Sequence, residues 1–156
     1  MKLHQYKTNT KWTGNLGKGT AGYTAYDRDH LISSANKIIE IPASSDPSFR
    51  GNAAHYNPEE LLVASLSSCH MLWYLHLCSA NKIIVTHYED NATGSMQETK
   101  DGGGTFKQVT LNPIIKVADA GMIEKAKKLH HQANKLCFIA NSCNFPVHHK
   151  VKISTL

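Results

Sequence analysis

Four cysteines, at positions 69, 78, 137 and 143, are the residues of this 156-residue sequence best suited to chemistry. A thiolate attacks electrophilic oxygen or sulfur, and two thiols within reach of each other store two electrons as a disulfide. Cysteine is also among the most buried residue types and often fills a core as a small apolar group, so both readings stand at the outset. Cys69 and Cys78 are nine residues apart, about 13.5 Å along a helix and half a turn out of phase. A disulfide tolerates only roughly 4.4 to 6.8 Å between Cα atoms. Cys69 and Cys137 instead fall on the inward stripes of two separate helical patterns and can face each other if those helices pack side by side; Cys143 lies beyond the second pattern.

A thiol flanked by Leu66 and Trp73, twelve residues past its helix start, gains nothing from the helix dipole and loses by desolvation. It needs a fixed cation. Arg28 and Arg50 are the only guanidinium groups in the chain, and one of them is expected to activate it. The ten histidines invite a metal reading, with His130, His131, His148 and His149 gathered near Cys137 and Cys143. Adjacent His pairs point to opposite sides of a helix or strand, and no Cys-x-x-Cys or His-Glu-x-x-His spacing is present, so no metal and no cofactor is expected. His76 shares the stripe of Cys69 two turns on, where a packed core histidine is favoured over a catalytic base. The run Gly102 to Gly104 is no phosphate cradle, since no helix with Lys-Ser/Thr follows it.

These residues must be carried by a small set of elements. Asn57-Pro58-Glu59-Glu60 is a strong helix start, with Asn as N-cap, Pro in the first turn and Glu closing a capping box. The helix should reach about Ala80, with Leu62, Leu66, Cys69, Trp73 and His76 as one stripe and leucines broadening its apolar surface. Before it, strands are expected at Lys7 to Trp12, Thr20 to Tyr26 and Lys37 to Ile41, then a polar loop from Ser44 to Tyr56. After it, a strand begins at Lys82 to Thr86, and Tyr88 to Gln97 pairs with Thr105 to Val117 around the glycine turn, with Pro113 near a bulge or edge. Asp119 caps a second helix with the stripe Ile123, Ala126, His130, Ala133, Cys137 and Ala140, and Pro146 to Ser154 closes as one strand. The order is βββ, α, ββ, α, β, an α+β chain expected to form a single domain over residues 1–156.

Composition narrows the function classes. At 41% hydrophobic and 19% charged residues the chain is that of an ordinary globular domain. No apolar run is expected to reach the roughly 20 residues of a membrane span, and Met1 to Thr20 lacks the apolar stretch of a secretory signal, so a cytoplasmic protein with reduced thiols is expected. Seventeen Lys and Arg against twelve Asp and Glu leave +5. The lysines are scattered and the cluster Lys125, Lys127, Lys128 lies beside Glu124 on a helix, a solvated face rather than a nucleic-acid surface.

Asn57-Pro58-Glu59-Glu60-Leu61-Leu62, followed by Ser67-Ser68-Cys69 and by a second cysteine on a later helix, resembles the OsmC/Ohr family of thiol-dependent hydroperoxide reductases. The likeness extends over nearly the whole chain, from Trp12-Thr13-Gly14 to the final strand. It implies antiparallel β-sheets wrapped around two long central helices in an intertwined homodimer. It further implies Cys69 as peroxidatic and Cys137 as resolving thiol, assisted by Glu59 and by Arg28 on the second strand, with Arg50 a substitute. The substrates implied are organic hydroperoxides, with hydrogen peroxide a second candidate, and the reductant is a dithiol. Glu59 and Cys69 are ten residues apart on one helix, about 15 Å along its axis. If the glutamate holds the arginine, it must reach the site from a second chain. Two departures, His70-Met71 after Cys69 and Phe138-Ile139-Ala140-Asn141 after Cys137, resemble a distinct OsmC-like branch. The alternative reading is an OsmC-like protein with a sluggish thiol that binds a small apolar ligand.

Overall fold

The computed structural model describes residues 2–155, and the chain falls into two compact units that divide between Leu61 and Leu62. In the first unit β1 (Asn9–Trp12), β2 (His30–Ser33) and β3 (Ile41–Ala43) form an antiparallel sheet in the order β1-β2-β3, with His30 paired to Trp12 on one side and Ala43 on the other. The strand expected at Thr20 to Tyr26 is absent: apart from an isolated bridge between Asn15 and Tyr26, this segment turns. Two causes are local. Asn15 Oδ1 accepts from the backbone N–H groups of Gly17 and Gly19, at 2.9 and 3.0 Å, curling the chain. The Arg28 guanidinium then takes the carbonyls of Tyr26 and Tyr23, at 2.6 and 2.8 Å, which a strand would have offered to a ladder. β3 begins at Ile41 instead of Lys37 because Asn36, at φ 66°, turns the chain and leaves Ile38 fully exposed. Pro42 is tolerated because β3 is an edge. The polar loop contains one 3-10 turn, Pro47–Phe49, capped by Asp46.

Helix α1 (Pro58–Ala80) starts as expected: Asn57 Oδ1 accepts from the Glu60 N–H at 2.8 Å and Glu60 returns the bond to the Asn57 N–H at 3.1 Å. It ends in a Schellman turn, with Lys82 left-handed at φ 59°, the Ile83 N–H on the Cys78 carbonyl and the Lys82 N–H on that of Ser79. Contrary to the sequence expectation, this 23-residue helix is by length and composition apolar enough to cross a bilayer. Leu66, His70, Tyr74, Leu77 and Cys78 are nevertheless buried within the protein.

In the second unit β4 (Val85–Asp90), β5 (Thr93–Glu98), β6 (Gly104–Leu111) and β7 (Pro113–Val117) are followed by α2 (Ile123–Leu136), β8 (Val147–His149) and β9 (Lys152–Ser154). The expected long hairpin is two pairings: β5 with β6 around the glycine turn, and β4 with β7. Pro113 has no N–H to continue a ladder, and the corner is held by Asp90, whose carboxylate accepts from the Asn112 N–H at 2.6 Å and the Ser67 hydroxyl at 2.5 Å. The closing strand splits at the matching place. β8 pairs with β6 and β9 with β7, both parallel, giving mixed sheets β5-β6-β8 and β4-β7-β9 where antiparallel ones were expected. Asp119 caps a 3-10 turn, Ala120–Met122, that leads into α2. One apolar cluster gathers Tyr74 and Leu77 of α1, Ala126, Leu129 and Ala133 of α2, and Ile115 and Val117 of β7; a second joins Leu66 to Val109 and Leu111.

Candidate active site

Cys69 is half-buried in the middle of α1, and Cys137 is the buried C-cap of α2, at φ −67° and ψ 109°, where the chain leaves the helix. Both are free thiols, and they lie near enough for Cys69 to act on the Cys137 thiol. Burial first, and then the neighbouring Cys69 side chain, push the Cys137 thiol well above the ordinary thiol range, while the Ala140 N–H, 3.4 Å from its sulfur, acts in the opposite sense. Cys137 therefore keeps its proton in the folded chain.

Of the stripe Leu62, Leu66, Cys69, Trp73 and His76 that periodicity turned inward, only Leu66 is fully buried. α1 buries Leu66, His70, Tyr74 and Leu77, whereas Cys69 shares with Leu72, Trp73, His76 and Phe138 the lining of an open cleft of about 370 Å³. The Trp73 ring meets Phe138 edge-on at 5.6 Å and His76 at 5.9 Å. Phe138, the residue after Cys137, is 68% exposed, so an apolar side chain stands in solvent beside the thiol pair. His76 is exposed at the cleft and not packed in the core as favoured from the sequence. Such a cleft can receive an apolar molecule and present one electrophilic atom to Cys69.

Next to the cysteines lies a group that sequence reasoning missed as a unit. His70 and His130, 1% and 0% exposed, are joined Nε2 to Nδ1 at 2.9 Å with their rings 14° from parallel. The Tyr74 ring stacks on His130 at 3.8 Å, and His149 of β8 lies 5.7 Å from His70 and 6.1 Å from His130 between ring centroids. Burial, aided by the neighbouring imidazoles, lowers His70 to about 4 and His130 to about 3, and burial lowers His149 as well. All three are neutral at pH 7. Near-parallel rings do not converge on one point as ligands of a cation would, and among the described residues no His, Cys, Asp and Glu side chains form a metal-binding group. The legible signal was the four-residue step from Leu66 through His70 to Tyr74.

Arg28 and Glu59 belong to the other unit. Arg28 precedes β2 by two residues and does not lie on it; its guanidinium is clamped between the Tyr26 and Tyr23 rings, at 4.2 and 4.4 Å from their centroids. Glu59 is half-buried in the first turn of α1, and no ion pair joins it to Arg28 among the described residues. Arg50 is exposed and left-handed at φ 65°. Cys78 is buried, Cys143 is half-buried against the second apolar cluster, and burial raises both thiols.

The model of the OsmC-like protein family matches residues 51–152, and the chain belongs to that family. An OsmC-like protein of unknown function from Vibrio cholerae is 28% identical with a TM-score of 0.85, over 96% of this chain and 100% of its own. An organic hydroperoxide resistance protein from Elizabethkingia anophelis, solved with thiocyanate, is 22% identical with a TM-score of 0.69 over all of both chains. A putative organic hydroperoxide resistance protein from Vibrio cholerae, with captopril in one of its active sites, is 22% identical with a TM-score of 0.67, over 99% of this chain and 95% of its own. The comparison with curated proteins found no match.

Proposed function

We propose that the protein is a cysteine peroxidase that reduces organic hydroperoxides, hydrogen peroxide being a second candidate. The observation that carries this reading is the pair of neighbouring free thiols, Cys69 and Cys137, with Cys69 lining an apolar cleft. The Cys69 thiolate attacks the outer peroxide oxygen, the O–O bond breaks, and the alkoxide leaves and takes a proton to become the alcohol. Cys69 then holds a sulfenic acid. Cys137 loses its proton as it attacks that sulfur, water departs, and the disulfide awaits an external dithiol, which restores both thiols. Leu72, Trp73 and Phe138 would hold the organic group of the peroxide. In the same reading Arg28 is the cation for the thiolate, Glu59 holds the arginine from a second chain of a homodimer, and the protein works in the cytoplasm.

Peroxide consumption with a dithiol reductant tests the reading against the alternative of a binding protein that uses the same cleft for an apolar ligand. Turnover that is lost in Cys69→Ser supports the enzyme; binding of apolar ligands with no consumption refutes it. Sharing of the site between chains is tested by refolding Cys69→Ser and Glu59→Ala chains together: recovered activity supports it, and a monomer that turns over peroxide refutes it.

A further inference from the structure

The apolar contacts of Tyr74 and Leu77 with Ala126, Leu129 and Ala133 hold α1 and α2 in one cluster, but such contacts are non-directional. They fix the helices by shape and not by direction. The His70–His130 bond is different in kind. It joins two neutral rings, one donating and one accepting, at 2.9 Å, and both side chains are almost completely buried. A shift of one helix against the other breaks the bond and leaves a buried donor and acceptor without partners. Its place in the chain matters as much as its strength: His70 directly follows Cys69, and His130 stands two turns before Cys137 on α2.

We propose that the His70–His130 hydrogen bond is a positioning clamp for the thiol pair, fixing α1 against α2 in the register in which Cys69 and Cys137 meet. Tyr74, stacked on His130, and His149, beside both rings, hold the imidazoles in that geometry. Neither histidine lines the cleft of Cys69. The clamp acts on the second chemical step, in which Cys137 must approach closely enough to bond, and leaves the first to Cys69 alone. Disulfide geometry accepts only a narrow range of Cα separations, so a small loss of register costs this step disproportionately.

The clamp rests on Cys69 and Cys137 being a redox pair, and diamide tests it without a peroxide, since it oxidises two thiols to a disulfide and is itself reduced to the hydrazine. The reduced protein is mixed with diamide, quenched in acid, and the 69–137 linkage is quantified. Alkylation of Cys69 by iodoacetamide, which needs no second thiol, is measured in parallel. In the double variant His70→Leu/His130→Leu, which leaves neither partner stranded, disulfide formation should slow at least ten-fold (~10-fold or more) while alkylation stays within about two-fold. An unchanged disulfide rate, or an equal fall in both rates, overturns the proposal. If the double variant fails to fold, His130→Asn and His130→Gln decide. Asn places an amide where Nδ1 stands and should keep the rate, whereas Gln places it one bond further and should lose it; equal rates overturn the clamp. Wild-type protein that forms the disulfide with diamide but consumes no peroxide ends the peroxidase reading and leaves the clamp intact.

Discussion

The two faces of α1 are built from the same run of residues and behave oppositely. On one, Leu66, His70, Tyr74 and Leu77 are buried, and the polar atoms that join this face to α2 meet in a neutral imidazole pair. On the other, Cys69, Leu72, Trp73 and His76 border an open cleft. Neighbours in sequence, Cys69 and His70, are about 100° apart around the helix and so belong to different environments. Burial makes His70 a weak base that stays uncharged; access to the cleft leaves Cys69 free to meet a substrate. The comparison teaches that polarity inside this helix is sorted by what covers each face and not by residue type.

The largest effect should come from the cleft face. Cys69→Ser should remove peroxide turnover by roughly a thousand-fold or more, since the nucleophile itself is lost. Cys137→Ser should permit one turnover and then accumulate a sulfenic acid detectable by dimedone labelling. If mass spectrometry after one equivalent of peroxide finds Cys69 linked to Cys78 or Cys143, the pairing is wrong.

Two leucines sharpen the contrast in stability. Leu66→Ala, at a fully buried position, should cost about 2–5 kcal/mol in urea denaturation, and Leu72→Ala, 61% exposed at the cleft, less than ~0.5 kcal/mol. Equal costs would mean that the cleft face is covered in solution.

The buried face should also carry acid sensitivity. His70 and His130 are held near 4 and 3 in the folded chain, against 6.5 for the free side chain, so the unfolded state binds more protons as the pH falls below about 7. Their contribution is complete well above pH 6.5, falls as the pH drops below it, and is gone once the pH has passed 4 for His70 and 3 for His130. The imidazoles that face them are each other and His149, which itself faces His131 and His148. Thermal melts between pH 7 and 4 should show a shallower decline in His70→Leu/His130→Leu than in the wild type; parallel slopes would refute the account.

The smallest effect concerns Phe138. Phe138→Ala should raise KM for a bulky aromatic hydroperoxide by about three- to ten-fold with little change for hydrogen peroxide, because one apolar contact is worth roughly 1 kcal/mol. A loss shared equally by both substrates would place Phe138 in the chemistry of Cys137 and not in recognition.

Helix α1 and its capping box were legible in the sequence, because caps and helical periods are local properties of a few residues. The strand at Thr20 to Tyr26 was not: its β-prone residues are overruled by Asn15 and by Arg28, which draws the carbonyls of Tyr23 and Tyr26 to itself. The splitting of the long hairpin was signalled by Pro113, yet the parallel return of β8 and β9 depends on partners more than thirty residues away. Periodicity recovered a stripe through Cys69 but assigned it to the core. α1 is apolar on most of its surface, and such a helix carries no pattern that says which side will be covered. By itself, then, the sequence determined that one cysteine would ride on α1, whereas the second, expected inside the later helix, caps its end. Only the tertiary structure decided that His70 and His130 would join those helices beside the thiols, because a hydrogen bond between residues sixty positions apart exists only once the packing has brought its two ends together.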